Sequence, residues 1–377
     1  MLTLFMKSVL FCAGCSLLAL AAPLSESAIA VSFDRMYVFG DSLSDTGNVS
    51  NVTRFVQTLD PSTSVQPPSP PYFQGRYSNG PLWVDYLADA FDVDLVPSST
   101  LAFPAPITVT PSGSVTVNEN FVGQTVDRSV NFAFGGAQSG LNNAVDPRLP
   151  GILRETNAFL GDHLAAGARA DEDALYVVWA AGANDYQPST FAEPDKAIAS
   201  VMKNITQSIT TLFDLGARNF LIPNAPNLGL TPLALAAGPQ VSGLLTDISK
   251  GHNALLQSTL TSLGQSLTGA KLVSLDINGL LARAIADPGR YGFVETQTSC
   301  LNQVTLAVCD APDQYLFWDG IHPSGKAHQV VSEFALATLH DAYDDGSVSV
   351  PEPEMGWLGA IALGGWLTWR RRRSVAA

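Results

Sequence analysis

Tyr37-Val38-Phe39-Gly40-Asp41-Ser42-Leu43-Ser44-Asp45-Thr46-Gly47-Asn48 is the stretch from which the rest of this chain is read. The run 36–39 is apolar and made of strand-forming residues. Gly40 then permits a tight bend that a residue with a Cβ would resist. Ser42 falls just past the carboxyl end of the strand, where ligands bind in open α/β sheets. A serine hydroxyl there can be held rigidly and backed by the amide N–H groups of a following helix. Taken alone, the segment fits a strand, a turn and a helix cap equally well, because Ser, Asp and Asn are ordinary caps and turn formers. A catalytic reading needs a base, an acid to orient it and donors for an oxyanion elsewhere in the chain.

Downstream, strand and helix patterns alternate. Residues 129–134, 174–181, 219–222 and 271–276 read as strands. The first ends in Gly135-Gly136 and the second in Gly182-Ala183-Asn184-Asp185. Residues 83–91, 149–164, 195–215, 245–267, 277–286 and 323–340 read as helices, with Trp83, Leu87 and Phe91 on one face and Pro323 in the first turn of the last. This order predicts an α/β fold, a parallel sheet with helices on both faces. No internal repeat and no boundary interrupts 31–345, so one domain is expected there. Residues 57–78, with Pro61, Pro67, Pro68, Pro70 and Pro71, predict a long surface loop. Its aromatics, Tyr72, Phe73 and Tyr77, either line a pocket or pack beneath the loop. Residues 97–125 are rich in Thr, Ser, Pro and Val and predict irregular strand or loop.

The composition suits a globular chain with a sizeable core: 377 residues, 46% hydrophobic and 14% charged. The formal net charge is −14, and without residues 1–30 and 351–377 the balance is −16. So acidic a chain should repel nucleic acid and anionic membranes, and no basic patch interleaved with aromatics, helix-turn-helix or zinc-finger spacing argues otherwise. No nucleic-acid partner is expected.

Both ends read as sorting signals. Residues 1–30 have Lys7, an apolar run over 8–24 and an Ala28-Ile29-Ala30 cleavage site, as in a secretory signal peptide. A membrane anchor and a lipoprotein site at Cys15 are weaker alternatives. At the far end, Val350-Pro351-Glu352-Pro353-Glu354 precedes an apolar stretch at 355–369 and then Arg370-Arg371-Arg372-Arg373. That stretch is shorter than the ~20 residues of a spanning helix, and the arginines would stay cytoplasmic. The tail, 346–377, resembles the PEP-CTERM sorting signal of Gram-negative bacteria. The resemblance implies cleavage near 351–353 by an exosortase-like enzyme and release, after transient membrane anchoring, to the cell surface or extracellular matrix. A permanent short anchor is the alternative. Past residue 30 only Cys300 and Cys309 remain, and an oxidising compartment would let them pair. Closing so short a loop gains at most about 2–3 kcal/mol, so the bridge would serve mainly to order the loop before Asp319. No histidine or second cysteine pair flanks them, so a metal is not expected.

The missing catalytic parts lie at strand ends and loops. Asp319-Gly320-Ile321-His322 stands just before the last helical pattern. A serine hydroxyl is a weak nucleophile and needs a base within ~3 Å. His322 can be that base, and Asp319 can accept the other imidazole N–H. Donors to an oxyanion can come from the backbone of Ser42, the backbone of a glycine in Gly135-Gly136 and the amide of Asn184, each worth about 3–4 kcal/mol in the transition state. Each part has a plain structural alternative: Asp319 as a helix cap, Asn184-Asp185 as a turn, Gly135-Gly136 as a bend. All four in order, each where an α/β fold places active-site loops, outweigh coincidence. His163, His252, His328 and His340 lie in helical stretches and read as surface or packing residues. Gly40-Asp41-Ser42-Leu43-Ser44 lacks the last glycine of a G-x-S-x-G elbow.

These blocks resemble the SGNH, or GDSL, hydrolases. Gly40-Asp41-Ser42-Leu43 through Asn48 matches the first block, Asn131-Phe132-Ala133-Phe134-Gly135-Gly136-Ala137 the second, Gly182-Ala183-Asn184-Asp185 the third and Phe317-Trp318-Asp319-Gly320-Ile321-His322-Pro323 the last. The resemblance spans about 33–345. It implies a flavodoxin-like, three-layer α/β/α sandwich with a mainly parallel central sheet. It further implies Ser42 as nucleophile, Asp319 and His322 completing the triad, and Ser42, Gly136 and Asn184 forming the oxyanion hole. The expected activity is hydrolysis of carboxylic esters through an acyl-enzyme, by an esterase or lipase on acyl lipids or short-chain esters, without metal or cofactor. A polysaccharide O-acetyl esterase, which the matrix-directed tail favours, and an inactive matrix-binding domain are the alternatives.

Overall fold

The computed structural model describes residues 31–110 and 114–344. The expected signal peptide at 1–30 and sorting tail at 346–377, with its apolar stretch 355–369, lie outside them. Among the described residues no helix is long and apolar enough to cross a membrane.

In chain order the strands are β1 Met36–Gly40, β2 Val96–Pro97, β3 Ile107–Val109, β4 Val115–Val117, β5 Val130–Asn131, β6 Leu175–Trp179, β7 Asn219–Pro223, β8 Lys271–Leu275, β9 Glu295–Ser299 and β10 Tyr315–Phe317. The α-helices are α1 Asn48–Leu59, α2 Trp83–Phe91, α3 Ile152–Ala166, α4 Pro194–Leu215, α5 Pro232–Ala236, α6 Pro239–Ser266, α7 Ile277–Ala286 and α8 Gly325–Tyr343. Six strands form one sheet in the order β2-β5-β1-β6-β7-β8, every neighbouring pair parallel. Without the short edge strand β2 this is the flavodoxin-like order. β3 and β4 make an antiparallel pair within 97–125, and β9 and β10 a parallel pair.

Because successive side chains of a strand point to opposite faces, apolar strands here supply two cores. Tyr37, Phe39, Tyr176, Val178 and Phe220 pack with buried residues of α3, α4 and α6. Met36, Val38, Leu175, Val177 and Trp179 pack with those of α2, α7 and α8. The result is the three-layer α/β/α sandwich. On α2, Trp83, Leu87 and Phe91 form the buried stripe, each worth about 1.5–3 kcal/mol when fully removed from water.

Several boundaries differ from the sequence reading. β5 holds only two residues of 129–134, although Phe132 N–H still donates to Val38 O and Phe134 N–H to Gly40 O. The Ala133 N–H turns instead to the Asn131 side chain, at 2.9 Å. α6 begins at Pro239, where proline suits the first turn, well before the periodic residues at 245–267. Pro323 is not in α8. Ser324 caps that helix, its Oγ accepting from Ala327 N–H, and Pro323 bridges back to Phe317.

The chain leaves β1 toward β5 on one side and returns to β6 on the other. That reversal is a topological switch point, where open α/β sheets form their ligand crevice. The segments after β1, β5 and β6 all emerge there.

Candidate active site

Ser42 sits two residues past β1 and is buried. Its turn is tied down by Asp41, whose carbonyl accepts from Ser44 N–H at 3.0 Å and whose carboxylate accepts from Leu43 N–H at 3.0 Å. Asp45 caps α1: Oδ1 accepts from Gly47 and Asn48 N–H at 2.8 and 2.6 Å, and Oδ2 from Val49 N–H at 3.2 Å. The same Oδ2 accepts from Gly135 N–H at 2.8 Å. Burial pushes the Asp41 and Asp45 carboxyls up to about 6, against the pull of these donors.

His322 and Asp319 come from the loop between β10 and α8. Asp319 Oδ1 accepts from the backbone N–H groups of Ile321 and His322 at 3.0 and 2.8 Å, folding the loop around its own carboxylate. Asp319 Oδ2 lies 2.7 Å from His322 Nδ1, and His322 Nε2 lies 2.8 Å from Ser42 Oγ. Burial alone would raise the Asp319 carboxyl. The adjoining His322 ring, with hydrogen bonds from it, from Tyr72 OH and from Ile321 N–H, holds it down at about 2. An anionic carboxylate there fixes Nδ1 as the protonated nitrogen and leaves Nε2 to accept from the serine hydroxyl.

The structure also places the candidate oxyanion donors. With the Gly135 N–H engaged by Asp45, the Gly136 N–H has no hydrogen-bond partner among the described residues, nor does that of Ser42. Gly136 has φ +81°, and a Cβ on it would stand 2.5 Å from Asn143 Oδ1. Asn184 follows β6 at the switch point. One hydrogen of its Nδ2 is held by Ala137 O at 3.0 Å, which aims the amide and leaves its second hydrogen for a ligand.

Cys300 and Cys309 are joined by a disulfide. Cys300 and Leu301 N–H groups donate to Phe317 and Trp318 carbonyls at 3.1 and 2.7 Å, so the bridged loop packs directly against the strand leading to Asp319.

Three supports were invisible in the sequence. Tyr72 OH donates to Asp319 Oδ2 at 2.6 Å, and the Tyr77 ring lies 5.2 Å from that of His322 and fills the space a Cβ on Gly135 would need. Tyr72 and Tyr77 of the proline-rich loop therefore brace the catalytic loop, Phe73 packs with Arg76, and none of the three lines the pocket. Glu155 of α3, almost wholly buried, accepts from Gly40 N–H at 2.9 Å and Phe134 N–H at 3.1 Å, joining the end of β1 to the segment that follows β5. None of these has a local signal. Only Asp45 could have been found, as a cap position within the first motif. Among the helical histidines, His163, His252 and His328 are buried packing residues.

A cavity of about 490 Å³ opens at Ser42 and His322. It runs between α5, α6, α7 and α8, and its wall is mostly apolar: Trp179, Leu228, Leu245, Leu280, Phe293 and Phe317 are representative. Such a space can take an apolar group attached to an atom attacked by Ser42.

The model of the GDSL-like lipase/acylhydrolase family matches residues 36–335. The chain belongs to this family. It is accordingly an ester hydrolase of the GDSL type. A GDSL esterase/lipase of Arabidopsis thaliana is 27% identical over 337 residues, covering 80% of this chain and 87% of that protein. A second from the same plant is 27% identical over 386 residues, covering 89% and 93%. Among solved structures, an acetylxylan esterase from Geobacillus stearothermophilus is 12% identical with a TM-score of 0.35, covering 86% of this chain and 99% of that one.

Proposed function

We propose that this GDSL hydrolase is an exported lipase-type esterase that cleaves acyl esters through an acyl-enzyme. The observation that carries the reading is the continuous relay from Ser42 Oγ through His322 to Asp319 at the mouth of an apolar cavity. Ser42 Oγ attacks the ester carbonyl carbon while its proton passes to His322 Nε2. Asp319 holds the imidazolium in place from the Nδ1 side. The tetrahedral oxyanion takes hydrogen bonds from the Ser42 and Gly136 N–H groups and from Asn184 Nδ2. Collapse breaks the ester C–O bond, and the departing alcohol takes the proton from His322. Water, deprotonated by the same nitrogen, then attacks the acyl-serine and releases the acid and the free serine.

The cavity favours a chain of several carbons over acetyl, because an acetyl group would leave most of 490 Å³ of apolar wall uncovered. The export reading rests on the signal-like residues 1–30 and the tripartite tail, which an exosortase-like enzyme would process. The Cys300–Cys309 bridge supports it, since such bonds persist in oxidising compartments.

The test is hydrolysis of p-nitrophenyl esters from acetate to palmitate, beside acetylated xylan, by the full-length protein and Ser42→Ala. The expected result is kcat/KM rising with chain length and no turnover by the variant. Activity confined to acetate and acetylated xylan would replace this reading with a polysaccharide O-acetyl esterase. Turnover retained by Ser42→Ala would remove the nucleophile assignment, and no turnover by either protein would favour a binding domain.

A further inference from the structure

The mouth of the cavity is bordered by apolar side chains that face solvent. Leu233 of α5 and Ile321, next to His322, line it and are 60% and 37% exposed, and on the neighbouring loop Val304 is 93% and Leu306 51% exposed. Hydrogen bonds join them into one patch. Leu233 N–H donates to Gly320 O at 2.8 Å, and Gly320 N–H donates to Gln303 Oε1 at 3.4 Å, beside Val304. The disulfide-closed loop carries Val304 and Leu306 at its tip. Beyond the oxyanion side, Val145, 75% exposed, lies against Gly136. Two of the three segments that build the main patch carry no charge: residues 219–246 and 296–309 contain no Asp, Glu, Lys or Arg, in a chain of net charge −14, and in the third the Asp319 beside Gly320 and Ile321 is buried against His322.

Contiguous exposed apolar surface marks an interaction site. Here it is continuous with the opening through which an acyl group reaches Ser42, so the partner on the patch is also the source of the substrate. We propose that this rim docks the enzyme on the surface of aggregated uncharged or zwitterionic acyl lipid, from which single chains enter the cavity. The proposal rests on the ester-hydrolase reading and adds the physical state of the substrate. Apolar side chains inserted at the acyl boundary supply the binding. An anionic lipid surface is disfavoured, because the chain is acidic and the rim offers no Lys or Arg to it.

The test compares two full-length proteins that cannot consume lipid: Ser42→Ala, and Ser42→Ala with Val304→Asp and Leu306→Asn. Each is floated with phosphatidylcholine vesicles and with vesicles enriched in phosphatidylglycerol. Both share the same termini, so the difference between them reads the rim. Partition onto phosphatidylcholine should fall about tenfold in the rim variant, and by less on the anionic vesicles, where the arginine-bearing tail common to both proteins also contributes. With Ser42 restored, the rim variant should hydrolyse monomeric p-nitrophenyl butyrate at the parent's rate. It should lose the parent's rise in rate when a longer ester passes its aggregation threshold. Equal binding by the two proteins, a larger loss on anionic than on phosphatidylcholine vesicles, or a parent rate indifferent to aggregation overturns the proposal. Failure of the unmodified protein on monomeric butyrate ester would overturn the ester-hydrolase reading instead.

Discussion

Tyr72 OH and His322 Nδ1 meet on one atom: Asp319 Oδ2 lies 2.6 Å from the first and 2.7 Å from the second. The phenol thus holds the same carboxylate oxygen that orients the imidazole. Tyr72→Phe should cost about 1.5–3 kcal/mol, the range for a hydrogen bond to a charged group, and lower kcat as the carboxylate loses its anchor. The pH dependence follows in sign. Asp319 is held at about 2 in the folded protein, below its ordinary 3.8, so its stabilisation is present above pH 3.8 and is lost as pH falls toward 2. The stability gap between wild type and variant, from urea unfolding, should therefore be full at pH 6 and shrink near pH 2. A gap that ignores pH would show that the hydroxyl does not act through the ionised carboxylate.

Gly136→Ala tests the oxyanion site. The position has φ +81°, and the added methyl would meet Asn143 Oδ1 at 2.5 Å and Val145 Cγ2 at 2.7 Å. The backbone must shift, and its N–H with it. Loss of one such donor costs about 10²–10³ in kcat, so steady-state kinetics should show a fall of that order with KM little changed. Near-wild-type kcat would exclude the Gly136 N–H from the reaction.

Glu155→Gln probes the link between the end of β1 and the segment that follows β5. Each carboxylate oxygen accepts one backbone N–H, from Gly40 and from Phe134. In the amide, one of those N–H groups faces an NH₂. Phe134 N–H keeps a second acceptor in Gly40 O at 3.2 Å, so the cost is that of one lost hydrogen bond, about 1 kcal/mol, which thermal unfolding would register as a lower Tm. Because β1 leads straight to Ser42, kcat should fall as well. An unchanged Tm would mean that the two segments hold together without this acceptor.

His252 predicts an acid limb of stability. It is fully buried, with Nδ1 2.8 Å from Tyr186 OH and Nε2 without a hydrogen-bond partner among the described residues, and burial lowers it to about 4. Its ordinary value is 6.5. Between the two, the unfolded chain binds a proton that the folded protein refuses, so stability is lost as pH falls from 6.5 toward 4. His252→Gln, which can still pair with Tyr186, should flatten this limb by on the order of 2–3 kcal/mol. Parallel stability curves for the two proteins from pH 7 to 4 would refute this role.

Elements whose pattern is local were legible in the residues. The apolar runs of β1, β6 and β7, the Trp83, Leu87 and Phe91 stripe of α2, and the placement of Ser42, Gly135, Gly136 and Asn184 after strands all follow from periodicity and turn chemistry. Boundaries slipped where a side chain outside the pattern intervened, as Asn131 does at the end of β5 and Ser324 does ahead of α8.

What the chain's own order determined was the alternation of strands and helices, hence the parallel sheet, and the residue types able to carry acyl transfer. Those depend on contacts within a few residues, which a linear sequence displays. Tertiary structure alone decided that Asp45 takes the Gly135 N–H and leaves that of Gly136 open. It alone brought Tyr72 to Asp319 across 247 positions and Glu155 to Gly40 across 115. It also decided that α5 to α8 enclose an apolar cavity at Ser42. Such partners are selected by how the layers pack and which buried donors are left needing an acceptor, and neither is a property of any stretch of sequence taken by itself.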